Sequence, residues 1–207
     1  GFVANDVVNL VVGLPVLLGT IWYTRRGSLV GLLCWPGALL FVLYNYSAYL
    51  FAAPLTWAFL IDLTLVMLSL YALIALVVTI EGKSVSRLLA GAVPVKSSGG
   101  VLVGLGLLFL LRATSLIAGA ILAGEALPAP ELATNVADFL TAPAWILGGV
   151  FLWQHKEVGY AVGMGLLFQA SMLFVALIVF LLLQPLLTAA PFAPVDVVVV
   201  FAMGLLC

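Results

Sequence analysis

Charge is what this sequence has least of. Of 207 residues, 7% are Asp, Glu, Lys or Arg, while 66% are hydrophobic. Soluble domains carry about 25% charged residues, so a chain this apolar cannot coat itself with a water-facing surface. Its solvent is lipid. A formal net charge of −1 leaves no basic face for nucleic acid. Two cysteines, Cys34 and Cys207, give no CxxC pair and no disulfide framework. One histidine, His155, cannot supply bis-histidine haem ligation or a histidine-rich metal site, and its place in a connection between apolar runs argues against a serine–histidine pair within the membrane. GxGD, DxxDG and phosphate-loop motifs are missing as well. These absences weigh against an enzyme and give no reason to expect a cofactor or a metal.

What is present is a series of long apolar runs. A spanning helix needs about 20 apolar residues. Runs at about 7–24, 29–51, 55–80, 101–123, 136–153 and 160–183 satisfy this, and a seventh opens near Val195 and stops at Cys207. The runs lack the polar alternation of barrel strands, and an isolated span must satisfy its backbone internally. The expected fold is therefore an all-α integral membrane bundle of about seven transmembrane helices forming one domain. There is no basic segment ahead of the first run to mark a signal peptide. An opening Gly1 without Met, and an end inside an apolar run, suggest a piece of a longer chain.

The connections carry a charge code. Arg25 and Arg26 follow the first run, Lys83, Arg87 and Lys96 follow the third, and His155 and Lys156 follow the fifth. The intervening connections, 52–54, 124–135 and 184–196, contain no Lys or Arg. The positive-inside rule places the basic set in the cytoplasm and the N-terminus outside, as in a multi-pass protein of the cell membrane. Within Ser84–Val95, the residues Val85, Leu88, Leu89 and Ala92 share one helical face, the pattern of a short helix lying on the inner surface or of an ordinary polar loop. Glu125–Thr134, with Pro128 and Pro130, reads as a turn-rich outer loop. Gly27–Gly31, Gly100–Gly104 and Gly159–Gly163 each form a GxxxG beside a basic connection. Such spacing allows close helix approach and hints at a repeated hairpin.

Ionisable groups inside a span are costly, and each is a functional candidate. Asp62 and Arg112 fall within runs at depths that nearly coincide, so the pattern predicts an Asp62–Arg112 pair, either a packing staple or part of a site. Asn45 and Tyr49 share a face near the outer end of the second run, and Asn5 and Asn9 do so in the first. Gln169 and Ser171 lie mid-run, where Gln169 is suited to bond a neighbouring helix. Tyrosines at 44, 46 and 49 fit an interfacial belt or a binding cluster. Asp6, Asp138 and Asp196 sit where a helix N-cap would be. Pro15 and Pro36 should kink their helices. Asp62, Arg112, Asn45, Tyr49, Asn9 and Gln169 together outline an outward-facing polar site.

Seven spans with an outside N-terminus invite comparison with microbial rhodopsins, but Lys83, Lys96 and Lys156 all lie in connections, so no lysine is available in a span for a retinal Schiff base. The stretches 32–46, 165–174 and 194–207 instead resemble uncharacterised prokaryotic multi-pass membrane proteins. The resemblance implies a prokaryotic membrane protein and no particular activity. Two functions are consistent with these features. One is a small-solute transporter, channel or ligand sensor. The other is a non-catalytic subunit or assembly factor of a larger membrane complex. Partners are then the lipid bilayer and either a small polar ligand or other membrane subunits.

Overall fold

The computed structural model describes residues 2–52, 55–89, 91, 93–187 and 194–205. Its elements are α1 (Phe2–Val8), a π-helical segment (Asn9–Gly13), α2 (Leu14–Arg25), α3 (Leu29–Ala52), α4 (Trp57–Thr79), α5 (Gly82–Leu89), α6 (Val95–Ala123), α7 (Ala129–Trp153), α8 (Glu157–Leu187) and α9 (Pro194–Gly204). Among the described residues there are no strands. Six stretches are long and apolar enough to cross a bilayer, the first of them Val3–Arg25 running through the π segment. At 1.5 Å per residue, the 11 residues of α9 reach only about 16 Å and fall short of a span.

Proline chemistry explains two boundary differences. Pro15 lacks an N–H and its ring would meet the preceding turn. The helix widens just before it, and the Leu14 N–H reaches back to the Asn9 carbonyl in a π-type bond. Glu125–Thr134 is not all loop: α7 begins at Ala129, with Pro128 at its N-cap and Pro130 in its first turn. The first turn is where a missing N–H costs least. This moves the helix start seven residues ahead of the expected 136. Asp138 therefore lies inside α7 rather than at its cap. Asp6 likewise lies within α1, whereas Asp196 is in the first turn of α9 as expected.

Helices α3 and α8 cross in parallel at the centre. A Cβ on Gly37 would collide with the Gly165 carbonyl oxygen, so glycine at 37 permits this approach, and one on Gly165 would sit tightly at 3.2 Å from the Leu33 carbonyl oxygen. A turn further along, the Gln169 amide reaches the Leu40 carbonyl at 3.4 Å. Helices α6 and α7 form an antiparallel hairpin. A Cβ on Gly149 would lie 2.6 Å from the Gly99 oxygen, and one on Gly106 would lie 2.8 Å from the Ala142 oxygen. Each step along α6 is matched by an equal step back along α7. The expected GxxxG faces are only partly used. A Cβ on Gly104 would meet nothing within 4 Å and one on Gly100 only the Trp153 ring at 3.9 Å, Gly27 forms a left-handed turn (φ 79°), and Gly31, Gly159 and Gly163 do pack tightly. Around these crossings, Leu33, Leu39, Leu102, Trp145, Leu166 and Phe174 form the buried core.

The same registers bring the basic connections to one end. Parallel α3 and α8 start there, just after Arg26 and Lys156. The Trp153 indole N–H donates to the Lys96 carbonyl at 2.9 Å, joining that end of α7 to the start of α6. Gly82 lies against Glu157, and α5 packs on α8 with Val85 buried and Lys83, Arg87 and Leu88 exposed. Helix α5 stops at Leu89, short of the expected Val95, and Ala92 lies outside the described residues, as do Ala53, Pro54, the segment 188–193 and Cys207.

Candidate functional site

Toward the opposite end, polar side chains interrupt the apolar bundle in two places on α3. The consecutive residues Tyr44 and Asn45 point to different neighbours because successive helical positions are separated by about 100°. Tyr44 faces α7, and Asn45 faces α1.

On the α7 side, Arg112 Nη1 lies 2.9 Å from Asp138 Oδ2, and the Tyr44 hydroxyl donates to Asp138 Oδ1 at 2.8 Å. The Asp138 side chain is 0% exposed, whereas that of Arg112 is 48% exposed. A carboxylate in an apolar interior requires charge-assisted partners, and here each of its oxygens accepts one. Arg112 has five N–H donors, of which only one bonds to protein among the described residues. The guanidinium is thus anchored on one edge and open on the other. The nearby hydroxyls of Thr114 and Ser115 do not compete for it, since each donates to a carbonyl of its own helix.

The expected Asp62–Arg112 pair does not form. Arg112 lies eleven residues from the end of α6 and Asp138 nine from the start of α7, depths of about 16 and 14 Å from the turn joining them. Asp62 is only five residues from the start of α4, about 8 Å in. Moreover, α4 packs on α3, while α6 packs on α7 and α8. Asp62 is part-buried and within Coulombic reach of Asp6 and Tyr46 instead.

On the α1 side, the Asn5 amide donates to the Tyr49 hydroxyl at 3.1 Å and to Asn45 Oδ1 at 3.4 Å. Tyr49 donates to Asp6 Oδ1 at 2.6 Å, and the Asn45 amide donates to the Phe41 carbonyl at 2.9 Å. Asn45 and Tyr49 therefore do come together, joined by Asn5 and Asp6. Asn9 is buried within the π segment, and its Nδ2 has no partner among the described residues. Tyr44 and Tyr49 each donate to a carboxylate on another helix. Gln169 belongs to neither group. It is 0% exposed, accepts the Trp145 indole N–H at 3.1 Å and reaches Leu40 on α3, which makes it a tie among α3, α7 and α8.

Sequence reasoning missed Asp138 and Asn135 as site residues and left Tyr44 between an interfacial belt and a binding cluster. Asn135 stands one turn before Asp138 on α7, is fully buried, and among the described residues has no partner at either amide atom. The available signal was the run Asn135–Asp138 behind Pro128 and Pro130, read as a helix interior instead of a loop. Two shallow clefts of about 340 and 360 Å³ indent the surface. The first lies beside Val16, Tyr23, Gly31 and Cys34, the second beside Trp57, Leu60, Ile61 and Leu65, and neither is lined by Asp62, Arg112 or Asp138. Among the described residues, no group of three or more His, Cys, Asp or Glu is placed to hold a metal ion. The chain matches no protein-family model, no curated protein and no solved structure. The chain is thus a polytopic, all-helical membrane protein.

Proposed function

We propose that this chain binds a small solute carrying an anionic group in the half of the membrane opposite its basic connections, and serves as a transporter, channel or ligand sensor for it. The supporting observation is the Arg112–Asp138 pair, in which the acid is wholly buried and the base is half exposed. A guanidinium so held keeps its orientation without spending its remaining donors, which suit a carboxylate or phosphate. Tyr44 holds the acid from the far side, so a solute drawing on Arg112 need not leave the carboxylate unpartnered. Asn45 and Tyr49 belong to a separate polar group on the α1 side of α3, with Asn9 and Asp62 on α1's continuation and on α4, and Gln169 ties α3, α7 and α8 together. With the basic connections in the cytoplasm, the N-terminus and this site face outward across a prokaryotic cell membrane.

Purified protein in nanodiscs, titrated with acetate, lactate, phosphate and sulfate, tests this. One of these anions should raise the thermal midpoint in a saturable way, and Arg112→Gln should abolish the shift while leaving the protein folded. Equal responses from both proteins would defeat the reading.

A non-catalytic subunit of a larger complex is the second reading. It is favoured by α4, which packs on α3 and exposes Leu60, Ile61, Leu68, Tyr71 and Ile74. Cross-linking from cysteines at Leu68 and Tyr71 in native membranes would give discrete protein adducts under this reading, and lipid exposure alone under the first.

A further inference from the structure

Asn135 presents a second, enclosed polar position. It shares the buried face of α7 with Asp138, since residues three apart are neighbours on a helix, and both are closed off from the surface. Asp138 has its two donors, Tyr44 and Arg112. Asn135 has two donor hydrogens and a carbonyl oxygen, and among the described residues neither Nδ2 nor Oδ1 has a partner. Buried amides in native proteins are satisfied, by water where protein groups fail. In hydrocarbon no other source is at hand.

The chemistry of the surroundings selects the occupant. Asp138 is already neutralised by Arg112, so a cation arriving here would meet the guanidinium without an uncompensated carboxylate to hold it. An anion would face that same carboxylate. An apolar molecule would leave both amide atoms unmet. A molecule that donates and accepts, is neutral, and fits a fully enclosed place fulfils all these conditions.

We propose that Asn135 is the anchor of an internal water site, in which one water accepts from Nδ2 or donates to Oδ1 and extends the Tyr44–Asp138–Arg112 network by one helical turn along α7. The site does not depend on a solute binding to Arg112. Its residues come from the buried face of the bundle, and it is filled whether or not a ligand is bound.

Selective 15N-asparagine labelling of the whole protein in nanodiscs, read by water-edited nuclear Overhauser spectroscopy, tests the inference. The Asn135 side-chain amide, identified by the resonance lost in Asn135→Leu or Asn135→Ser, should show a cross-peak to water that in the rotating-frame version of the experiment is opposite in sign to the diagonal, which hydrogen exchange does not give. No such peak, or a peak to lipid acyl protons, would overturn the site. Thermal unfolding supplies an independent arm. If the amide is a lone unsatisfied group, Asn135→Leu removes that burden and raises the midpoint, which contradicts the proposal. A midpoint that stays level or falls supports it. Should neither variant fold, assignment through the backbone of the unsubstituted protein leaves the spectroscopic test intact. A positive result here beside a failed anion titration would separate the water site from the solute reading.

Discussion

Asp138 holds Arg112 across the α6–α7 hairpin at 2.9 Å, with the acid fully enclosed and the base half open. The asymmetry has a consequence for stability. Arg112→Ala strands a buried carboxylate with Tyr44 as its one remaining donor among the described residues, whereas Asp138→Ala leaves a guanidinium that can relax toward its exposed side. Removing one member of a fully buried pair costs about 3–5 kcal/mol. Exposure of Arg112 lowers that figure, so Arg112→Ala should cost roughly 2–3 kcal/mol and Asp138→Ala less. Unfolding in mixed micelles, followed by circular dichroism, checks the order of the two.

The crossing of α3 and α8 should be the least tolerant spot in the bundle. Gly37→Ala places a methyl against the Gly165 backbone, which cannot yield as a flexible side chain would. Overpacking of this kind costs about 1–3 kcal/mol or more. Gly104→Ala, with nothing within 4 Å of the added carbon, is the matched control and should be neutral within about 0.5 kcal/mol. Equal melting behaviour of the two variants would contradict the proposed crossing.

How much of this was readable beforehand depended on the kind of physics involved. Spans follow from apolar length alone, and six were placed within a few residues at most ends. The basic connections converge at one end because consecutive helices reverse direction. Pairing is different. Which helix faces Arg112 depends on interhelical contacts such as Gly99–Gly149, and apolar composition does not encode neighbours. Depth arithmetic favoured Asp62 because the α7 start was set at 136; moving it to Ala129 turns Asp138 from a cap into an interior acid at the level of Arg112. The glycine pattern had the same weakness: Gly99 and Gly106, spaced seven apart, make the contact that Gly100 and Gly104 were expected to make.

Gln169 ties α3, α7 and α8, and its loss should be felt through Trp145. Gln169→Leu removes the acceptor of a buried indole N–H and the bond to Leu40. Interhelical hydrogen bonds in membranes average about 0.6 kcal/mol and reach about 1.7. A cost near the upper value is expected, because the Trp145 donor is left unmet. Adding Trp145→Phe should recover part of the loss, measured by the same unfolding assay.

Sidedness has its own test. With Cys34 and Cys207 replaced by alanine, single cysteines at Arg25, Lys83 and Lys156 should react with an impermeant maleimide from one face of sealed vesicles, and a cysteine at Glu125 from the other. The positive-inside rule assigns the first three to the cytoplasmic face. Labelling of Arg25 and Lys156 positions from opposite faces would rule out the bundle described here.

The most direct test of the site is a pair of double-mutant cycles on unfolding free energy, Arg112→Ala with Asp138→Ala and Arg112→Ala with Asp62→Ala. The account predicts a coupling on the order of 1–2 kcal/mol in the first cycle and additivity within about 0.5 kcal/mol in the second. Additivity in the first, or coupling of Arg112 to Asp62 in its place, would contradict it.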